Sequence, residues 1–296
     1  MAAWLSRDRR DLRSWLWLAA PALLLMALFY LAPLLANLVL AFTDWSSFKN
    51  EIGVVGLRNF EDLAAQDLLV RPLLLTVTYA VVGMVAQNAV GLALALILEG
   101  ANRVNVFFRS VFFTPVLLSS VAVGFVWRGY LAPSGPANAM LGALTASDVR
   151  IAWLAEPAFT IIVVSLIDAW KWFGFSTLIY IANLVAIPTE LKDSARVDGA
   201  NRWQLFWNVK RPLLGPALTF NITLTLIGAM SAFDVIMATT RGGPGTSTTV
   251  LNILMLRQYG NGLYGFATST TLTVTLLVLI VAIPLITFLR RREVEA

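Results

Sequence analysis

The sequence has no cysteine and no histidine among its 296 residues, and only 13% of them are charged. The missing thiols exclude a disulfide framework, a cysteine nucleophile and any iron–sulfur or cysteine-ligated metal site. The missing imidazoles remove the commonest zinc ligand and the commonest general base. No metal site and no catalytic residue is therefore assigned. Soluble domains carry roughly a quarter of their residues as charges, whereas 58% of this chain is hydrophobic. Too little polar surface is left to face water, and a bilayer is the expected solvent. A formal charge of +5 raises the question of a nucleic-acid partner, which the placement of the cations has to answer.

What the sequence does contain is a series of long uncharged runs. A helix crossing hydrocarbon needs about 20 apolar residues. No residue is charged between Arg13 and Asp44, Arg71 and Glu99, Arg109 and Arg128, Arg211 and Asp234, or Arg257 and Arg290. A sixth run, 158–187, is interrupted only by Asp168 and Lys171, three apart and able to face one another on a helix. The stretch 129–147 is punctuated by Pro133, Gly135, Pro136 and Gly142 and reads as a loop with one short helix. The expected fold is all-α, a polytopic membrane protein with six transmembrane helices at about 15–42, 72–98, 108–128, 158–187, 212–236 and 266–289. They form one domain over 14–290, between tails at 1–13 and 291–296. The first run is too long for a signal-peptide core and is expected to be retained.

Six spans place both termini on one side. With the termini inside, the inner segments hold 14 Lys and Arg and the outer segments 7, Lys171 lying within a span. That bias puts both ends in the cytoplasm. The cations are then topological anchors spread over four segments, and they form no patch for nucleic acid.

The inner segment between spans 4 and 5 reads as helix, turn, helix. Pro188 breaks the preceding helix, and Thr189 is placed to cap the next one with Glu190 in its first turn. Asp193 with Arg196, and Asp198 with Arg202, have same-face spacing. Gly199 suits a left-handed helix end. Trp203, Phe206 and Trp207 share one face, and Pro212 and Pro216 mark re-entry into the membrane. Periodicity alone leaves two readings open, an amphipathic element on the bilayer surface and a protein-docking element.

The order Asp193-Ser194-Ala195, Asp198-Gly199-Ala200, Phe206 and Pro212 resembles the cytoplasmic coupling motif of binding-protein-dependent ABC transporter permeases, E-A-A-x-x-D-G-A followed by an aromatic and a proline. Asp-Ser-Ala stands where Glu-Ala-Ala is typical. Other segments resemble the carbohydrate-uptake subgroup in the same order: Phe42-Thr43-Asp44-Trp45 after the first span, Gly56-Leu57-Arg58-Asn59-Phe60, Gly135-Pro136-Ala137-Asn138, and the turn Thr240-Arg241-Gly242-Gly243-Pro244-Gly245-Thr246.

The resemblance implies a permease in the cytoplasmic membrane of a prokaryote, without catalysis or cofactor of its own. Its implied partners are two ATPase subunits carrying Mg-ATP, a second permease of similar fold, and an extracytoplasmic solute-binding protein. The sequence agrees in having no Gly-Lys pair, so no phosphate-binding loop of the G-x-x-x-x-G-K-[ST] type exists. The residues implied to couple to the ATPase are Asp193, Ser194, Ala195, Asp198, Gly199, Ala200, Arg202 and Phe206.

Polar groups inside a bilayer are costly unless they line protein or water. By that rule the substrate route is expected at Asp168, Trp170, Lys171, Trp172 and Phe173 in span 4, and at Asn221, Thr225 and Ser231 in span 5, with Gly228 on the same face and Asp234 a turn later. Aromatic faces beside hydrogen-bonding side chains suit a sugar; a glycerol phosphate or polyol is the alternative cargo. Asn138, Gly242, Gly243, Pro244 and Thr246, in irregular outer segments, are expected to face the binding protein. A proton-coupled secondary transporter would instead use Asp168 and Asp234 as proton sites, but neither inverted repeats nor glycine-broken spans are evident. An intramembrane hydrolase has serines here but no histidine base.

Overall fold

A computed structural model describes residues 18–65, 69–291 and 293. The expected tail at 1–13, and most of that at 291–296, lie outside them. Among the described residues the regular structure is helical, apart from one isolated bridge between Thr43 and Val54. The helices are α1 (Leu18–Leu40), α2 (Arg58–Ala65), α3 (Val70–Ile97), α4 (Arg103–Leu117), α5 (Ser120–Tyr130), α6 (Pro136–Thr145), α7 (Thr160–Ala186), α8 (Thr189–Val197), α9 (Arg202–Leu213), α10 (Gly215–Met230), α11 (Asp234–Thr239), α12 (Leu251–Gly260) and α13 (Tyr264–Arg290). By length and composition α1, α3, α7 and α13 are each able to cross a membrane, and the bent pairs α4–α5 and α9–α10 raise the number to six if each is one span.

The chain divides into two compact units, one of residues 1–63 with 255–272 and the other of 64–254 with 273–296. In the first, no residue of α1 is buried. An apolar helix exposed on every side is what lipid or a partner helix requires. Past the end of α1 the chain is fixed by Asn59, whose buried amide donates to the carbonyls of Ala41 at 3.0 Å and Thr43 at 2.9 Å. The backbone N–H of Gly265 donates to the Trp45 carbonyl, and the Trp45 and Tyr264 rings lie 4.7 Å apart.

In the second unit α7 is the central element, with over half of its most apolar window buried. One cluster packs Ile161, Val164 and Ile167 with Tyr79, Val123, Val235 and Ile236; another, towards the far end of α7, packs Tyr180, Ile181 and Leu184 with Ala95, Leu214 and Ala217. Helix α4 reaches α7 at Gly174, where an added Cβ would lie 2.1 Å from the Phe112 carbonyl oxygen. Gly174→Ala therefore has to push the helices apart, at a cost of about 1–3 kcal/mol. A lowered midpoint in thermal unfolding of the purified protein is expected, and an unchanged one would contradict this packing.

Two expected spans are broken. The run 108–128 splits at Leu118 and Ser119, both extended, and the chain turns by 99°. Pro115 within α4 weakens its last turn, and Ser119 starts α5 as an N-cap, its hydroxyl accepting from the Ala122 N–H. The run 212–236 bends by 71° at Leu214, between Pro212 and Pro216. Its helix stops at Met230 and resumes only at Asp234.

Candidate functional site

Helices α3, α5, α7 and α10, with the segment 231–235, line an open cavity of about 430 Å³. Asp168, Trp172, Thr225 and Ser231, expected to line a route, do line it, together with Asp234. Its lining includes the aromatic residues Trp172, Phe175 and Phe233, the hydroxyl residues Ser120, Thr225 and Ser231, and one amide residue, Gln87. No lysine or arginine is among its lining residues.

The other four expected residues lie behind this wall. Trp170 packs edge-on against Trp127 at 5.3 Å, and buried Phe173 against Phe112 at 6.0 Å. Lys171 and Asp168 do not form the ion pair their spacing allows. The Lys171 ammonium instead donates to Ser120 Oγ at 2.8 Å and lies 4.6 Å from the Trp172 ring centroid. Asn221 is fully buried, and its carbonyl oxygen accepts from Ser176 Oγ at 3.2 Å. Ser176 accepts in turn from Gln87 Nε2 at 2.8 Å. Asn88 donates to Thr225 Oγ1 at 2.8 Å and accepts from the Tyr180 hydroxyl. These amide and hydroxyl bonds link α3 to α7 and α10 in this conformation.

Tyr79, Gly83 and Gln87 of α3, four residues apart and so on one face, were missed as cavity residues. The amides Gln87 and Asn88, polar groups in the middle of a span, were the available signal.

In the 188–211 loop, α8 ends at Val197, and Gly199, two residues on, has a left-handed φ of +82°. Asp193 and Arg196 pair at 2.8 Å. Two local expectations fail. Thr189 is the first residue of α8 and caps nothing, Pro188 occupying the cap position. Asp198 and Arg202 form no ion pair, because the turn at Gly199 separates them from a common helix face. The second helix starts from a reciprocal box not recognised in the sequence: Asn201 accepts from the Gln204 N–H and the Gln204 side chain accepts from the Asn201 N–H, each at 2.9 Å. Asp193, Ser194, Asp198, Gly199 and Arg202 are exposed, as is Trp203, while Ala195, Ala200 and Phe206 are half-buried. Trp203 and Trp207 lie 5.4 Å apart, and the Arg211 guanidinium covers the Trp207 ring at 4.8 Å.

Glu99, also missed, anchors this loop. Its carboxylate accepts from Lys192 Nζ of α8 at 2.9 Å and from Lys210 Nζ at the foot of α9. The sequence signal was a lone acid among the cations where α3 ends. Burial pushes the Glu99 carboxyl up, but hydrogen bonds and charge from Lys210 and Lys192 outweigh it and hold the group below the usual carboxylate range. A depressed folded-state value means that the stabilisation is complete above the unfolded value of about 4.3 and fades as pH falls through the folded one. The stability gap between the parent and Glu99→Gln is expected to be full at neutral pH and to close in acid. Thermal unfolding of both across pH 3–7 checks this, and a gap that persists at the acid end would contradict it.

In the 135–144 segment Asn138 is buried. It donates to the carbonyls of Ala132, Pro133 and Ile151 and accepts from Trp153 Nε1 at 3.0 Å. It shapes that surface and is not part of it. In the 241–248 turn Gly242 is buried, Gly243 and Pro244 are half-buried, and Thr246 is exposed. The Thr249 and Thr248 hydroxyls hold the turn through the carbonyls of Gly242 and Gly243.

A sequence profile described as "Binding-protein-dependent transport system inner membrane component" matches residues 87–293. The chain is 29% identical over 279 residues to a probable ABC transporter permease protein, YurN, of Bacillus subtilis (strain 168), covering 93% of this chain and 95% of that protein. It is 31% identical over 247 residues to the probable starch degradation products transport system permease protein AmyD of Thermoanaerobacterium thermosulfurigenes, covering 81% of each. Its fold is similar to a chain in the crystal structure of a bacterial alginate ABC transporter in complex with alginate pentasaccharide-bound periplasmic protein. The TM-score there is 0.79 at 22% identity, over 96% of this chain and 94% of that one.

Proposed function

The chain belongs to the binding-protein-dependent transport system inner membrane components, and on that premise we propose that it is the permease subunit of an ATP-driven importer that passes a sugar into the cytoplasm. An extracytoplasmic solute-binding protein delivers the sugar. Both termini are cytoplasmic, two ATPase subunits bind and hydrolyse Mg-ATP, and a second permease completes the route. The observation that carries this reading is a continuous path: the exposed 188–211 loop leads through α9 into α10, and α10 walls the cavity with Thr225 and Gly228.

The loop sits in a groove of one ATPase subunit, and closure of the ATPase pair on ATP moves α10 and opens or closes the cavity. ATP shifts that equilibrium because the subunits bind the loop differently in the two states. Asp193, Ser194, Asp198, Gly199, Arg202 and Trp203 supply the exposed contacts, backed by Ala195, Ala200 and Phe206. Thr246 meets the binding protein, while Asn138 and Gly242 hold the shape of that surface from within.

The cavity supports a sugar as cargo, since aromatic rings suit the C–H surface of a pyranose and the Gln87 amide and the hydroxyls suit its OH groups. Among transport relatives, AmyD is named for starch degradation products. A glycerol phosphate would meet the Asp168 and Asp234 carboxylates with no lysine or arginine in the lining, so an uncharged glycan or polyol is favoured.

The purified chain alone is expected neither to bind nor to hydrolyse ATP, and the tagged chain drawn from its native membrane should bring an ATPase and a second permease with it. Nucleotide hydrolysis by the isolated chain would overturn the reading.

A further inference from the structure

The path from the 188–211 loop to α10 bends by 71° at Leu214, and a displacement at one end of a bent pair is partly absorbed at the bend. A second, straighter path begins at Glu99. This residue lies just past the end of α3 and accepts from Lys192 and Lys210, one on each side of the turn at Gly199. Lys192 Nζ also donates to the Leu184 carbonyl, in the last turn of α7, at 2.8 Å. The Arg109 guanidinium of α4 donates to the carbonyls of Leu98, Glu99 and Gly100 and holds the backbone that carries the carboxylate.

The side chains of Glu99, Lys192 and Lys210 are only 20%, 11% and 14% exposed, so solvent ions screen their attraction weakly. Removing the carboxylate leaves two ammonium groups facing each other without an anion. From this point α3 runs as one unbroken helix to Gln87, Gly83 and Tyr79 on the cavity wall, roughly 18–30 Å away at 1.5 Å per residue.

We propose, resting on the function proposed above, that Glu99 is a positioning residue that carries movement of the 188–211 loop to α3 and through it to the Tyr79–Gln87 wall of the cavity. The loop then drives two walls together, α10 through its own chain and α3 through the Glu99 clasp. With Glu99 neutralised, α10 still follows the loop and α3 does not.

Because the chain has no cysteine, single thiols can report each wall separately. Gln87→Cys reports α3 and Gly228→Cys, at an exposed position with nothing within 4 Å of an added Cβ, reports α10, each in the assembled complex and labelled with the small cationic thiol reagent trimethylammonioethyl methanethiosulfonate. Labelling of this chain is compared without nucleotide and with ATP plus vanadate.

In the parent, both labelling rates are expected to change by about fivefold or more. Adding Glu99→Gln is expected to cut the change at position 87 to less than twofold while position 228 keeps its response. If both positions respond as in the parent, the clasp carries no movement and the proposal is overturned. If both lose their response, Glu99 merely holds the loop in place, and the proposal is equally overturned. If neither site responds in the parent, the ATP-driven reading itself fails and takes this one with it. Should Glu99→Gln lower the amount of complex, Lys210→Gln keeps the Lys192 pair and its bond to Leu184. It is expected to weaken the response at 87 selectively, and an unchanged response would overturn the proposal.

Discussion

Gly199→Val is expected to lower transport at least tenfold while the assembled complex still hydrolyses ATP. The residue has φ of +82°, a conformation that costs an L-residue about 1–2 kcal/mol, and more when the side chain is β-branched. Nothing lies within 4 Å of the position an added Cβ would take. The penalty therefore comes from the backbone and not from a clash, and the chain escapes it by changing the angle between α8 and α9. An ATPase groove that must accept both helices together would no longer engage them. Gly199→Asn is the internal control. Asparagine tolerates the left-handed region better than any β-branched residue, so Gly199→Asn is expected to stay within about threefold of the parent. Transport and ATP hydrolysis, both normalised to assembled complex, check the pair. Normal transport by Gly199→Val, or equal loss in both variants, would mean that the turn angle is not what the loop supplies.

Asp168→Asn is expected to reduce transport by about 10- to 100-fold with little change in assembly. Asp168 lines the cavity, where hydrogen bonds between a carboxylate and a sugar hydroxyl are worth roughly 1.5–3 kcal/mol, and Asn keeps the shape without the charge. Lys171 keeps its bond to Ser120, so the variant leaves no ammonium without an acceptor. Sugar uptake by proteoliposomes containing the complex checks this, with the binding protein's own affinity measured alongside as a control. Undiminished uptake would place Asp168 off the route.

Much of this architecture is legible from charge alone, because a charged residue in hydrocarbon is expensive and its absence over 18 or more residues marks a span. Hydropathy says nothing of direction, which is why the 99° turn at Leu118 and Ser119 and the 71° bend at Leu214 were not foreseen. Both breaks lie inside uninterrupted apolar runs. The helical spacing of Asn221, Thr225 and Gly228 identified a shared face but not its neighbours. Thr225 and Gly228 reach the cavity, while Asn221, a turn away, is turned into the packing against Ser176. The expected route rested on the polar and aromatic residues of 158–187 and 212–236 and did not include α3, whose Tyr79 and Gln87 stand two turns apart in a span without a charge. Asp198 and Arg202 failed to pair because an i,i+4 argument presumes one continuous helix, and Gly199 between them ends it. Glu99 stood out only as a lone acid among cations, without its role: its two lysine partners are 93 and 111 residues away, and only the folded chain brings them together.

The central claim, that this chain moves cargo only as part of an ATP-driven complex, is tested most directly by uptake into proteoliposomes containing the chain with its ATPase and permease partners, with the cargo-loaded binding protein outside. The expected result is accumulation that needs ATP and Mg²⁺ inside the vesicles and the binding protein outside, and that persists when an ionophore collapses the proton gradient. Accumulation by vesicles containing this chain alone, without ATP and abolished by the ionophore, would contradict it and make Asp168 and Asp234 proton sites instead.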